Sequence, residues 1–195
     1  PNIAATPDGK QVWCTLKDVG KTQVCDARPP FGRIKTIDTG PITNHVNFAQ
    51  TAKGSFAYVT IGGLNEVKVF RTDDFSQVAT IPVGKLPAGI AMTPDDKYLL
   101  VGIMGSDYVE VVDWRSAKTV KRIKAGDGTH NFRSLGDGRH TFVSNRVSNT
   151  INIIDEVTLE KRADFAAVAE AVTGFMQQMA DYVEKFAGDR ALAAE

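Results

Sequence analysis

The sequence predicts an all-β fold of four four-stranded antiparallel blades, the unit of a β-propeller, followed by a C-terminal α-helix. Three observations carry this expectation. Short β-rich runs alternate with clusters of Gly, Pro, Asp and Ser over residues 1–165, the pattern of a strand meander. The first-turn positions Gly9, Gly54, Asp96 and Gly138 recur at intervals of 45, 42 and 42 residues, and a period of about 40–50 residues holding four strands marks a propeller blade. Beyond Phe165 the turn residues thin out and an alanine-rich stretch with a helical apolar stripe begins.

The stretch from Gly89 to Gly126 reads most clearly. Its four expected strands are residues 89–93, 98–103, 108–113 and 118–123, separated by Pro94-Asp95-Asp96-Lys97, Met104-Gly105-Ser106-Asp107 and Trp114-Arg115-Ser116-Ala117. The same plan lays out blades over about 1–40, 41–84, 85–126 and 127–165, starting near Ile3, Phe48, Ile90 and Phe132. Register holds inside the units as well. Val24-Cys25-Asp26, Val69-Phe70-Arg71, Val111-Val112-Asp113 and Ile153-Ile154-Asp155 share one slot of the third strand. In each copy the middle residue lies 11 positions after a second-strand slot: Cys14/Cys25, Val59/Phe70, Val101/Val112 and Val143/Ile154. Fourth strands are expected at 34–37, 78–81, 120–123 and, more weakly, 162–165.

These residues carry a resemblance. Tyr58-Val59-Thr60, with Phe142-Val143-Ser144-Asn145 in the matching place, resembles the signature of the YVTN-type β-propeller repeat, and the segments TPDGKQVW and TPDDKYLL resemble its first hairpin. The similarity covers roughly residues 1–165. It implies a secreted or periplasmic propeller related to surface-layer proteins and to the propeller domains of nitrous-oxide reductase and haem d1 nitrite reductase. Four blades depart from the seven or eight usual for that family.

The expected helix occupies 165–187 within a C-terminal segment of 166–195. Phe165, Val168, Val172, Phe175, Met179, Tyr182 and Phe186 follow alternating spacings of three and four, a packing seam. Asp164 is the expected N-cap and Gly188 the stop. So short a helix needs a surface to bury its stripe, its own domain or a second chain.

Composition narrows the function. The 23 basic and 23 acidic residues balance, which gives no reason to expect nucleic acid or an anionic membrane surface as a partner. No apolar run reaches the roughly 18–20 residues that span a bilayer. The chain opens at Pro1 in a strand-like segment without a signal-peptide pattern, as in a mature form, a trimmed form or a fragment. Two cysteines without a CxxC or CxxCH spacing exclude a zinc ribbon and a covalently attached c-type haem.

The candidate site is the channel mouth formed by the loops entering each blade, 40–47, 84–89 and 126–131. Alignment of these loops is expected to gather His45, Asn47, His130, Asn131 and Arg133. His45 and His130, as neutral imidazoles from separate blades, are candidate ligands of a transition metal or of a haem-like group. A closed metal site commonly uses three or four protein ligands, so hydrogen bonding to nearby backbone is the competing role. His140 falls in an exposed turn. Cys14 and Cys25 are expected to face each other across a hairpin as small buried hydrophobes, with a disulfide possible in an oxidising compartment. Asp8, Asp95 and Asp137 in first turns, and Asp26, Asp113 and Asp155 at third-strand ends, are expected to cap their own backbone.

No Ser/His/Asp order, nucleophile elbow, P-loop or HExxH occurs. The expectation is an exported, non-enzymatic propeller in the periplasm or outside the cell, acting as a binding or assembly scaffold. It needs no cofactor and assembles with itself, a dimer being favoured, or with another protein partner, to complete a ring; a closed four-bladed ring and a piece of a longer propeller are the rival arrangements. The alternative is a redox-associated propeller holding a metal or haem-type group on the channel-mouth histidines. A hydrolase of the propeller-lactonase kind is a third possibility, disfavoured because the mouth lacks an acidic cluster.

Overall fold

The structure, a computed structural model, describes residues 2–166 and consists of four consecutive four-stranded antiparallel sheets. Blade 1 holds β1 (Ile3–Ala5), β2 (Gln11–Leu16), β3 (Lys21–Asp26) and β4 (Arg33–Asp38). Blade 2 holds β5 (Thr43–Thr51), β6 (Gly54–Ile61), β7 (Glu66–Arg71) and β8 (Gln77–Pro82). Blade 3 holds β9 (Pro87–Met92), β10 (Tyr98–Ile103), β11 (Tyr108–Asp113) and β12 (Lys118–Lys124). Blade 4 holds β13 (Thr129–Ser134), β14 (His140–Asn145), β15 (Thr150–Asp155) and β16 (Glu160–Ala166). Strands pair strictly in chain order, and the first strand of each blade packs beside the first strand of the next.

Backbone conformation explains the repeating anchors. Gly9, Gly54, Asp96 and Gly138 all have positive φ, at 67°, 122°, 56° and 70°. The first hairpin thus needs a residue that tolerates the left-handed region, which glycine does at little cost and aspartate better than most. The six aspartates act as turn caps. Asp8, Asp95 and Asp137 accept from the backbone N–H two residues on, and Asp26, Asp113 and Asp155 do the same at the third turn.

Strand alternation sorts the side chains into two faces per blade. Trp13, Val24 and Ile37 point from blade 1 toward blade 2, and Tyr58, Val69 and Ile81 from blade 2 toward blade 3. Leu100, Val111 and Ile123 point from blade 3 toward blade 4. The 11-residue pairs point the other way, so that Val59/Phe70, Val101/Val112 and Val143/Ile154 each meet the preceding blade. Trp13 is fully buried, edge-on to Phe48 at 5.8 Å between ring centroids. Truncating such a ring costs about 3–5 kcal/mol. The repeat is a packing code, with one apolar set reaching forward and one back.

Several expectations are corrected by the ladder. Register places Val46, not Phe48, in the slot of Ile3, Ile90 and Phe132, because each of these lies opposite the second-strand member of an 11-residue pair. Asp164 is not a helix cap: it lies in β16 opposite Asn152. Phe165 is paired with Ile151, in the fourth-strand slot that Ile37, Ile81 and Ile123 occupy in the other blades. The helix expected beyond that point lies outside the described residues, since Ala166 still belongs to β16. Cys14 lies opposite Gln23, and Cys25 opposite Val12. The cysteines are therefore diagonal neighbours, two residues out of register. Both thiols are free and half-buried, so the disulfide is not formed. Diagonal positions sit about 7–8 Å apart, beyond ordinary disulfide reach.

Candidate functional site: the two ends of the channel

At one mouth the innermost strands bring His45 and His130 together. His45 lies in an irregular stretch of β5 between Thr43 and Val46, and His130 in the matching irregularity of β13 between Thr129 and Asn131. Their rings meet edge to face, with centroids 5.5 Å apart and planes at 87°. The strands carrying them are laced to their neighbours. The Thr60 hydroxyl accepts from the His45 N–H at 2.9 Å and donates to the Ala88 carbonyl at 2.6 Å. Asn44 donates to the Pro87 carbonyl at 2.7 Å. Gly89 lies so close to β13 that a Cβ there would fall 2.2 Å from the His130 carbonyl oxygen.

Electrostatics keep this pair neutral. Burial, with a smaller contribution from His130, lowers the pKa of His45 to about 4. Burial and then the positive charges of Arg146 and Lys17 lower that of His130. Neither ring hydrogen-bonds through its nitrogens to a described residue. Two neutral imidazoles beside two cations suit a transition metal with an open coordination sphere or a ligand bearing an anionic group. Among the described residues no group of three His, Cys, Asp or Glu side chains converges as a metal site, so a metal here would have at most these two ligands from them.

The remaining site residues are distributed differently. Asn131 is exposed, and its side-chain oxygen accepts from the Phe132 N–H at 2.9 Å, as Asn47 does from Phe48 at 2.7 Å. Asn47 and Arg133 line a groove of about 510 Å³ that extends toward the opposite end of the innermost strands, between blades 3 and 4. Its walls include Ile90, Met92, Pro94 and Phe132. Glu156, from the turn between β15 and β16, lines it too. His140 is half-buried, with its Nδ1 2.7 Å from the Asp137 carboxylate.

Glu156 escaped the reading of the sequence, although the repeat marks it. Ala27, Thr72 and Trp114 hold its place in the other blades, so one blade has a carboxylate where three have none. It is only 6% exposed, and its carboxylate has no hydrogen bond or ion pair to a described residue. Burial, with Asp137 and Asp155 nearby, raises its pKa to about 7. Its neighbour Asp155 is the reverse case. Fully buried, it takes Arg139 Nε and an Arg162 Nη at 2.9 Å each, and the first of these contacts contributes most to holding its pKa far below the usual carboxylate range.

Four consecutive four-stranded sheets whose first strands pack side by side are the blades of a β-propeller. The sequence pattern of the YNCE-like beta-propeller family matches residues 31–173, and the chain belongs to that family. It is 24% identical over 107 residues to Protein NirF of Pseudomonas aeruginosa, a match covering 54% of this chain and 27% of NirF. Among solved structures, Kuenenia stuttgartiensis hydrazine synthase superposes with a TM-score of 0.73 at 20% identity, over 84% of this chain and 48% of that one. A functionally unknown protein from Desulfotomaculum acetoxidans superposes with a TM-score of 0.68 at 15% identity, over 84% and 55%. The chain thus spans about a quarter of NirF and about half of each structural neighbour.

Proposed function

We propose that this chain is a non-enzymatic propeller, working in the periplasm or outside the cell, whose role is binding and assembly, and that a second copy completes its ring. The observation carrying this reading is the forward face of blade 4. Phe142, Ile153 and Phe165 occupy the slots that Trp13, Val24 and Ile37 fill in blade 1, yet no described blade follows them. Phe165 is 40% exposed, whereas Ile37, its counterpart, is 8% exposed. Apolar patches of this kind on a soluble protein mark interfaces. Two copies give eight blades and two identical junctions, a closed two-fold arrangement. Light scattering at low micromolar concentration tests it. The expected particle has twice the 21.1 kDa chain mass, and a stable single-chain particle ends the dimer reading. The export assignment rests on the repeat resemblance.

A second reading has its own observation, the 5.5 Å approach of His45 and His130. In it the pair holds a metal or haem-type group, and the positive charges of Arg146 and Lys17, felt at His130, favour an anionic substituent. Metal analysis and an absorption spectrum of the purified protein decide between them. Bound iron or copper, or a Soret band lost in His45→Ala, favours the cofactor reading, and a colourless, metal-free protein weakens it.

A further inference from the structure

His45 and His130 stand on the first strands of blades 2 and 4, with blade 3 between them. Register sets both in the same irregular step of the innermost strand, and the matching step of β9, between Pro87 and Ile90, holds only Ala88 and Gly89. That strand therefore places no side chain longer than a methyl group between the two imidazoles. Their centroids approach to 5.5 Å with planes at 87°. Two ligands leave a metal half-coordinated, since closed sites use four. Among the described residues no third His, Cys, Asp or Glu converges on the pair.

We propose that a second copy supplies the missing half: two chains gather four imidazoles, His45 and His130 of each, around one mouth of a shared channel, as a site for a divalent transition-metal ion. The proposal rests on ring completion by that second copy. In a ring of eight blades built from two chains, the two-fold axis runs along the channel, so the partner returns the same pair to the same mouth. Blades 2 and 4 then stand about 90° apart around the axis. Rings separated by 5.5 Å at that angle lie at most about 4 Å from it. A ring nitrogen sits about 1 Å inside its centroid and a metal–nitrogen bond is about 2 Å, so an inward adjustment of about 1 Å closes the site.

Imidazole nitrogen suits zinc, copper and nickel, whereas magnesium and calcium take oxygen ligands. Four neutral ligands leave the charge of the ion intact, and positive charge from Arg146 and Lys17 reaches His130 and opposes it. Arg146 is exposed, so salt of about 0.15 M screens that repulsion. An ion on the axis contacts both chains equally and stabilises the dimer over the free chain by linkage.

Zinc alone is the probe, and light scattering with and without it reports the assembly separately. Calorimetric titration of the whole chain in about 0.15 M salt is expected to give one zinc per two chains. His45→Gln and His130→Gln are each expected to abolish that binding. His140→Gln, which removes the histidine beside Asp137, is expected to leave it unchanged. Saturating zinc is expected to lower the dimer dissociation constant by about tenfold or more, an effect absent from His45→Gln. Thermal melts of the variants establish that they fold. A dimer that binds no zinc up to about 1 mM overturns the four-imidazole site and leaves ring completion standing. Zinc bound at one per chain, or binding that survives His130→Gln, overturns the site as well. A single-chain particle both with and without zinc removes ring completion and the site together.

Discussion

Burial disfavours the charged form of any group, so it lowers the pKa of an imidazole and raises that of a carboxyl. His45 and Glu156 show the two signs in one small domain. His45, with a folded pKa of about 4 against an ordinary 6.5, is neutral in the native state where the unfolded chain binds a proton. Its contribution is complete above about pH 6.5 and is lost as pH falls through 4. Glu156, at about 7 against 4.5, stays protonated in the native state where the unfolded chain is ionised. Its contribution is complete below about pH 4.5 and is lost as pH rises through 7. Each is worth at most about 3 kcal/mol, and between pH 4.5 and 6.5 the two slopes oppose each other. Urea melts of Glu156→Gln against the parent chain are expected to coincide near pH 4 and to diverge, in favour of the variant, up to about pH 8. A constant difference across that range contradicts the assignment. His45→Gln is expected to gain relative stability on acidification from about pH 6.5 to 4.

At the scale of elements, the blades depend on a few backbone positions whose cost can be isolated. Gly138 has φ of 70°, and a Cβ there would meet nothing within 4 Å. Gly138→Ala is therefore expected to cost about 1 kcal/mol from backbone conformation alone, measured by chemical denaturation. Gly89→Ala is a different case, since its Cβ would strike the His130 carbonyl oxygen at 2.2 Å. Backbone must move to relieve that contact. A larger loss, about 2 kcal/mol or more, is expected together with a shift of the His130 imidazole signals in the NMR spectrum. A third device ties blades 3 and 4 to the loops that enter them. Glu110 accepts from the Gly84 N–H at 2.6 Å and from the Thr119 hydroxyl at 2.9 Å, and Asn152, its counterpart in blade 4, accepts from the Gly126 N–H at 3.2 Å. The strands and turns were legible because hairpin geometry demands specific residues at fixed offsets, and the 42-residue period exposed them. The meeting of His45 with His130 was legible for the same reason. Hidden from that reading was everything set by register at the level of one or two residues. Counting 11 positions from Cys14 to Cys25 finds the same face but not the same rung. Glu156 was hidden because its turn resembles the other turns in sequence, while its burial depends on how blade 3 packs against it.

At the scale of the whole molecule, the forward and backward sets make ring completion a statement about particular side chains. Trp13 of blade 1 stacks against Phe70 of blade 2, with ring centroids 6.4 Å apart. By register, Phe142 of blade 4 stands where Trp13 stands, and Cys25 of blade 1 stands where Phe70 stands. If a second copy continues the propeller, Phe142 of one chain must lie against Cys25 of the other, and the two-fold axis makes that contact twice. Phe142→Cys therefore places a thiol opposite a native one across each junction. Under mild oxidation the variant is expected to run as a covalent dimer on a non-reducing gel, and Cys25→Ser in the same chain is expected to abolish the band. Cys14→Ser leaves it unchanged, because Cys14 takes the place of Val59 on the neighbouring strand rather than that of Phe70. A crosslink that forms equally well through Cys14 indicates collision of exposed thiols, and no crosslink at all removes the proposed junction. The parent chain, oxidised alongside, is the necessary control. Its own Cys14 and Cys25 face the same junction, but the aromatic surface opposite offers them no sulfur to join.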